Sequence, residues 1–422
     1  MSRLADEMRK TFASMHVSRN FRLFFVGQLI SVTGTWVNWT AGAVLVLELT
    51  DSGVALGIEA ALLFLPVLLF GVYAGSVADR FDKRRILVWS NAGYAALAAL
   101  QFALVATDIV QIWMVFVIAF LTGLILAIEP PTRQSFYVEL VGEEHITNAI
   151  SLNSAVFTGT RVLGGALAGL MIHTFGLWSP FFLDAVSYVG VIVALLAMRT
   201  DELHAQRKAE REPGLVRAGL RYVWSSQALR VPLVVMLLVY LFTFNFSVVI
   251  PLHAYRTYQG GPMEVGWFYA ALGLGAFLGA IAMANRQTEP TLGRLAGFSV
   301  AFGVLLGVAG LAPTFVLAAI AMVPVGYASM LFAITANSTL QRFTRADMRG
   351  RVMALYTTIF LGSTAIGGPI TGWVAETWDA PVTLVASGAV AVGAGLFALR
   401  ARRTATASTT EVPTADTAAR SA

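Results

Sequence analysis

The 422-residue chain contains no cysteine, so neither a disulfide framework nor a thiolate metal site can be built from it. Charge is scarce as well: Asp, Glu, Lys and Arg make up 13% of the residues, where a soluble domain carries about 25%. Lysine is reduced to Lys10, Lys83 and Lys208, none of them in a G-x-x-x-x-G-K-[ST] loop, which excludes an ATP site of that kind. The five histidines form no HExxH or paired-ligand spacing. No metal, no cofactor and no enzymatic activity is therefore expected, and energy for any work must come from outside the chain.

What is present is apolar. Hydrophobic residues make up 57% of the chain and the mean hydropathy is +0.71. A helix needs about 20 mostly apolar residues to cross about 30 Å of hydrocarbon. Twelve such runs are predicted, at 24–48, 54–78, 86–106, 109–130, 150–173, 180–199, 231–251, 264–284, 294–311, 314–336, 351–374 and 381–400. A basic amphipathic stretch from Arg3 to Arg22 precedes the first, which is too long for a signal-peptide core of about 7–15 residues.

Lys and Arg are retained on the cytoplasmic side of membranes. With both termini cytoplasmic, the twelve runs place 27 of the 29 basic residues there; only Arg161, inside span five, and Arg256, on the outer side, remain. This topology explains the excess of basic residues without any nucleic-acid partner. The expected fold is an all-α integral membrane protein of two six-helix halves. Its segments are a cytoplasmic stretch (1–20), an N-terminal bundle (21–199), a cytoplasmic linker (200–230), a C-terminal bundle (231–400) and a disordered cytoplasmic tail rich in Thr and Ala (401–422).

The halves carry a faint repeat. A shift of 203 residues lays Gly164, Gly165 and Gly169 over Gly367, Gly368 and Gly372, and a shift of 209 lays Gly57 over Gly266. Transporters are often built from such repeats, with the substrate site between halves that rock. Glycines four apart (Gly71/Gly75, Gly165/Gly169, Gly275/Gly279, Gly303/Gly307) allow close helix approach, for packing or for sliding.

Between spans two and three stands Gly75-Ser-Val-Ala-Asp79-Arg80-Phe-Asp82-Lys83-Arg84-Arg85. This stretch resembles the signature G-x-x-x-D-R-x-x-R-R of the major facilitator superfamily, in the loop where that family carries it. Further stretches, Arg19–Phe24, Pro130–Gln134 and Asn148–Asn153, are similar to the branch containing the enterobactin exporter and related secretion or drug-efflux carriers. The resemblance implies alternating access and proton-driven movement of a small organic molecule. It also implies an inner gate formed by Gly75, Asp79, Arg80, Asp82, Arg84 and Arg85, with Arg133 as partner of Asp79 and Glu129 beside it. The chain departs from the drug–proton antiporters in having no arginine inside span four and no proline in Gly159–Gly165. The corresponding loop of the second half, Ala284–Arg294, lacks the acid at the Asp79 position.

A charge at a helix centre costs about 2.5–3.5 kcal/mol on insertion scales, so each one asks for a partner or a water-filled cavity. Arg161 is the deepest and is expected to pair with Asp184 of span six or with an acidic substrate, a structural ion pair being the alternative. Glu59 and Asp184 are carboxyls that could carry a proton if buried. Glu129 and Arg133 share a helix face if the helix continues through Pro130 and Pro131. Asn38 and Trp39 of span one and Asn245 of span seven are expected to line the cavity, core packing being the alternative. The expected function is proton-coupled export of an amphipathic compound, drug or siderophore-like metabolite by a monomer in the cytoplasmic membrane; proton-coupled uptake is the alternative.

Overall fold

With no water in hydrocarbon to satisfy backbone N–H and C=O groups, apolar runs must bond within themselves. They do so as α-helices in the computed structural model. It describes residues 13–204, 215–285, 289–345 and 348–410, without the side chains of 13, 72–80, 155, 157, 158, 162, 215–219, 285 and 403–410.

The first half comprises α1 (Ala13–Val17), α2 (Arg19–Thr50), α3 (Gly53–Arg80), α4 (Lys83–Ala106), α5 (Ile112–Phe175) and α6 (Trp178–Leu196). A 3-10 turn, Thr200–Glu202, and helix α7 (Leu215–Ser225) lie in the stretch expected to be a plain linker. The second half comprises α8 (Gln227–Phe242), α9 (Phe246–Leu252), α10 (Pro262–Asn285), α11 (Leu292–Gly310), α12 (Phe315–Phe343), α13 (Arg349–Trp378) and α14 (Ala380–Thr410). Helix α14 continues ten residues past position 400, where the tail was expected to begin.

Among the described residues, eleven helical segments are long and apolar enough to cross a membrane. One of them, α5, has 64 residues. At 1.5 Å per residue that is about 96 Å, some three hydrocarbon thicknesses. The continuity is broken at Gly142, with φ 72° and ψ 174°; a residue bearing a Cβ is strained there. The apolar run 231–251 is not one helix either. It opens between Thr243 and Asn245, resumes as α9 and ends in a π-helical turn, His253–Thr257.

Within the first half α2 packs on α5 and α6, and α4 packs on α6; within the second α10 packs on α12, α11 on α14, and α8 on α13 and α14. The halves meet along α3 with α13 and along α5 with α10. Both crossings are glycine against glycine. A Cβ on Gly57 would lie 2.6 Å from the Gly368 carbonyl oxygen, and one on Gly266 would lie 2.7 Å from that of Gly165. These four residues are the ones that the internal shifts superpose, so the two seams are equivalent places in the repeat.

At the Lys83 end of the first half, Phe21 and Phe24 pack edge-on to Tyr137, and Phe24 also to Phe136. Asn20 bonds the carbonyl of Arg199 at 2.8 Å, and Asn148 accepts from the Ser14 amide at 3.0 Å. The stretches Arg19–Phe24 and Asn148–Asn153 thus contribute to one corner of the bundle.

Candidate transport site

Asp184 is 3% exposed. The Asn38 amide donates to its Oδ2 at 2.8 Å, whereas Oδ1 is buried without a hydrogen-bond partner. Gly34 makes the room: a Cβ there would stand 2.8 Å from Asp184 Oδ1. One turn further along α6 the Tyr188 hydroxyl shares a 3.0 Å bond with Thr35, and its ring stacks on Tyr94 at 5.2 Å between centroids. A carboxyl with an unsatisfied oxygen in an apolar interior is costly to keep charged.

Arg161 does not form the expected pair with Asp184 in this state. Its guanidinium carbon lies 5.5 Å from the centre of the Trp36 ring, within cation–π range. Trp39 stands edge-on to Trp36 at 5.1 Å and to Phe64 at 6.2 Å. Tyr269 of α10 lies within electrostatic range of both Arg161 and Glu59, and its hydroxyl donates to the Phe246 carbonyl at 3.3 Å. Glu59 is half-buried, 3.6 Å from where a Cβ on Gly42 would lie. The structure therefore sets Arg161 and Glu59 near Tyr269 of the second half, Trp39 against Trp36 and Phe64, and Asp184 with Asn38 inside the first half.

Asn245, for which cavity lining and core packing were the alternatives, stands in packed surroundings. It is 1% exposed and begins α9 after the break, with its amide donating to the Leu241 carbonyl at 2.7 Å. That carbonyl is among those the interrupted helix leaves without an amide, so the side chain substitutes for the missing turn. Its Oδ1 is buried without a partner.

At the Lys83 end the helix does continue through Pro130 and Pro131. Glu129 and Arg133 form a 3.3 Å ion pair, and Arg133 donates to Gln28 at 2.8 Å. Asp82 caps α4 by accepting from the Arg85 amide at 2.9 Å, with the Arg85 side chain 4.0 Å away and exposed. Arg84 caps the far end of α6 through the carbonyls of Leu195 at 2.7 Å and Leu196 at 3.1 Å. Gly75, Asp79 and Arg80 lie on the last turns of α3, and their side chains are outside the described ones. The ion pair of Lys83 with Glu139 was not anticipated, because nothing in the sequence distinguishes Glu139 from a hydrated loop acid.

At the opposite end, Arg256 bridges the halves. It bonds the Asp51 carbonyl and lies 3.6 Å from the Asp51 carboxylate and 3.4 Å from that of Glu376. Glu376 also accepts from the Gly53 amide at the start of α3 and, at 3.5 Å, from Ser52. Arg256 stood out in the sequence as the lone outer arginine; Glu376 did not stand out at all.

A family model described as a transmembrane secretion effector matches residues 10–420. The chain is 27% identical over 387 residues to the multidrug efflux pump Tap of Mycolicibacterium fortuitum, covering 89% of this chain and 90% of that one. It is 27% identical over 176 residues to a staphyloferrin A transporter of Staphylococcus aureus, covering 41% of this chain and 44% of that one. Among solved structures, the nucleoside transporter NupG superposes with a TM-score of 0.74 at 11% identity, over 91% of this chain and 99% of that one. That last likeness is one of fold.

Proposed function

Because the chain belongs to the transmembrane secretion effector family of major facilitator transporters, and is a transporter rather than an enzyme, we propose that it exports a small amphipathic compound by alternating access, with protons as the coupling ion. The observation that carries the reading is the way the halves are joined. Two glycine-lined crossings, the packing of α9 on α2 and α3, and one ion cluster join them, all of them contacts between the bundles rather than within either.

Counting α5 as two spans on either side of Gly142 turns eleven candidate spans into twelve. The basic residues then put the Lys83 end and both termini in the cytoplasm of a cell whose inner membrane holds the protein. The Asp51 end, latched by Arg256 and Glu376, faces outward. In this reading the inner gate comprises Gly75, Asp79, Arg80, Asp82, Arg84, Arg85, Glu129 and Arg133, and the protein works as a monomer.

Asp184 is the proposed proton carrier. Its burial, its single amide partner and its unpaired oxygen make protonation and deprotonation alternatives that Asn38 can sense. Similarity to the multidrug efflux pump Tap supports outward movement of drug-like compounds, and similarity to the staphyloferrin A transporter supports a siderophore-like metabolite as cargo.

The test is flux in proteoliposomes with an imposed pH gradient, following fluorescent amphipathic compounds and a siderophore. Gradient-dependent movement against the proton flow, abolished in Asp184→Asn with expression intact, is the expected result. Movement with the proton flow would establish uptake instead, and undiminished coupling in Asp184→Asn would remove Asp184 from the mechanism.

A further inference from the structure

Arg161 is a cation at membrane depth with no carboxylate within ion-pair distance among the described residues. Trp36 covers one face of its guanidinium, which leaves the donor-bearing edge of a planar fork suited to an acidic group. Its position on α5 is equally informative. Gly164 and Gly165, three and four residues on, share its helix face. Gly164 packs on Trp36 of the first half and Gly165 on Tyr269 of the second, so Arg161 lies on the seam itself. Asp184, the acid of the neighbouring helix α6 expected to pair with it, is bonded instead to Asn38.

Resting on the reading of the chain as a carrier whose substrate passes between the halves, we propose that the substrate is an amphipathic organic anion. Its acidic group docks on the edge of Arg161, and its aromatic or apolar body lies among Trp36, Trp39 and Phe64. These rings already stand edge to face at 5.1 and 6.2 Å, an arrangement that presents ring faces to a flat ligand. Among the described residues the site offers one cation, Arg161, which matches one acidic group on the substrate.

The experiment measures binding to the purified full-length protein of three naphthalene derivatives that differ only in the substituent: carboxylate, carboxamide and methylamine. The carboxylate is expected to bind at least about tenfold more tightly than the other two, the difference that one charge-assisted contact makes. Arg161→Gln is expected to erase this preference and Arg161→Lys to keep part of it, while Trp36→Leu weakens all three compounds alike. Unliganded melting of each variant checks that it folds.

Equal affinity for the three compounds, preference for the amine, binding of none, or an undiminished carboxylate preference in Arg161→Gln would overturn the proposal. Its failure is separable from failure of the transport reading. Proton-driven efflux of the amine or the amide by wild type would leave an exporter standing with a different substrate class.

Discussion

Glu129 and Arg133 hold their ion pair one turn apart even though Pro130 and Pro131 intervene. Each proline removes an amide, leaving the carbonyls of Leu126 and Ala127 without their i+4 donors, yet the helix keeps its turn, and the Thr132 and Ser135 hydroxyls bond back to the carbonyls of Ile128 and Pro131 at 2.8 and 3.1 Å. The pair is 8% and 15% exposed at its side chains, so breaking it leaves a nearly buried charge. Arg133→Gln is expected to destabilise the protein by about 3 kcal/mol, and Glu129→Gln with Arg133→Gln to recover most of that. Thermal melts of the single and double variants check it, and equal destabilisation of all of them would mean that the pair contributes nothing as a pair. At this scale the sequence was legible wherever a charge interrupts an apolar run, which is how Arg161, Asp184 and Glu129 were found. The partner of Glu129, four residues on along the same helix, was legible too; those of Asp184 and Arg161 were not. Asn38 and Trp36 lie on another helix, and no local spacing reveals which residue a neighbouring helix presents.

Helix character followed directly from the apolar runs, because an apolar run in lipid has no alternative that satisfies its backbone. Breaks within runs did not follow. Thr243 and Asn245 do interrupt an apolar run, but polarity alone does not separate a cavity-lining residue from one that bonds a carbonyl freed by a break, as Asn245 bonds that of Leu241. Glycine spacing carried the same ambiguity. Gly165 and Gly169 cross the halves, Gly275 and Gly279 press on Val323 and Tyr327 within one half, and Gly307 has no neighbour within 4 Å of an added Cβ. Spacing alone is common to all of them; only the internal repeat singled out the pairs at the seam. Gly57→Leu and Gly266→Leu are therefore expected to reduce transport at least about tenfold, since a side chain there forces the helix backbones apart. Gly297→Ala, with open space around it, is expected to leave transport unchanged and to shift stability by no more than about 1 kcal/mol. Flux normalised to membrane expression separates the two groups, and full activity in Gly57→Leu would show that the crossing is not a working contact.

On the scale of the whole molecule, the two bundles are joined across residues far apart in the chain, and the joint at the Asp51 end is polar. Its members are not equivalent. Asp51 is 86% exposed at its side chain, so its contact with Arg256 is screened by water and salt. Asp51→Asn should change little, within about 1 kcal/mol. Glu376 is 37% exposed and gathers Arg256, Ser52 and the Gly53 amide on one carboxylate, which ties the tip of α13 to the start of α3. Glu376→Gln keeps the shape but removes the charge that attracts Arg256, and it should release about 1–2 kcal/mol of hold on the closed end, raising the open population five- to thirtyfold. Because the chain is naturally free of cysteine, spin labels at Asp108→Cys and Leu311→Cys, on exposed turns of opposite halves, report that distance without background. A longer distance population should grow in Glu376→Gln and stay at the wild-type level in Asp51→Asn. If both variants keep the wild-type distribution, closure of that end belongs to the helix packing between the halves, and the latch is a consequence of closure rather than a cause of it.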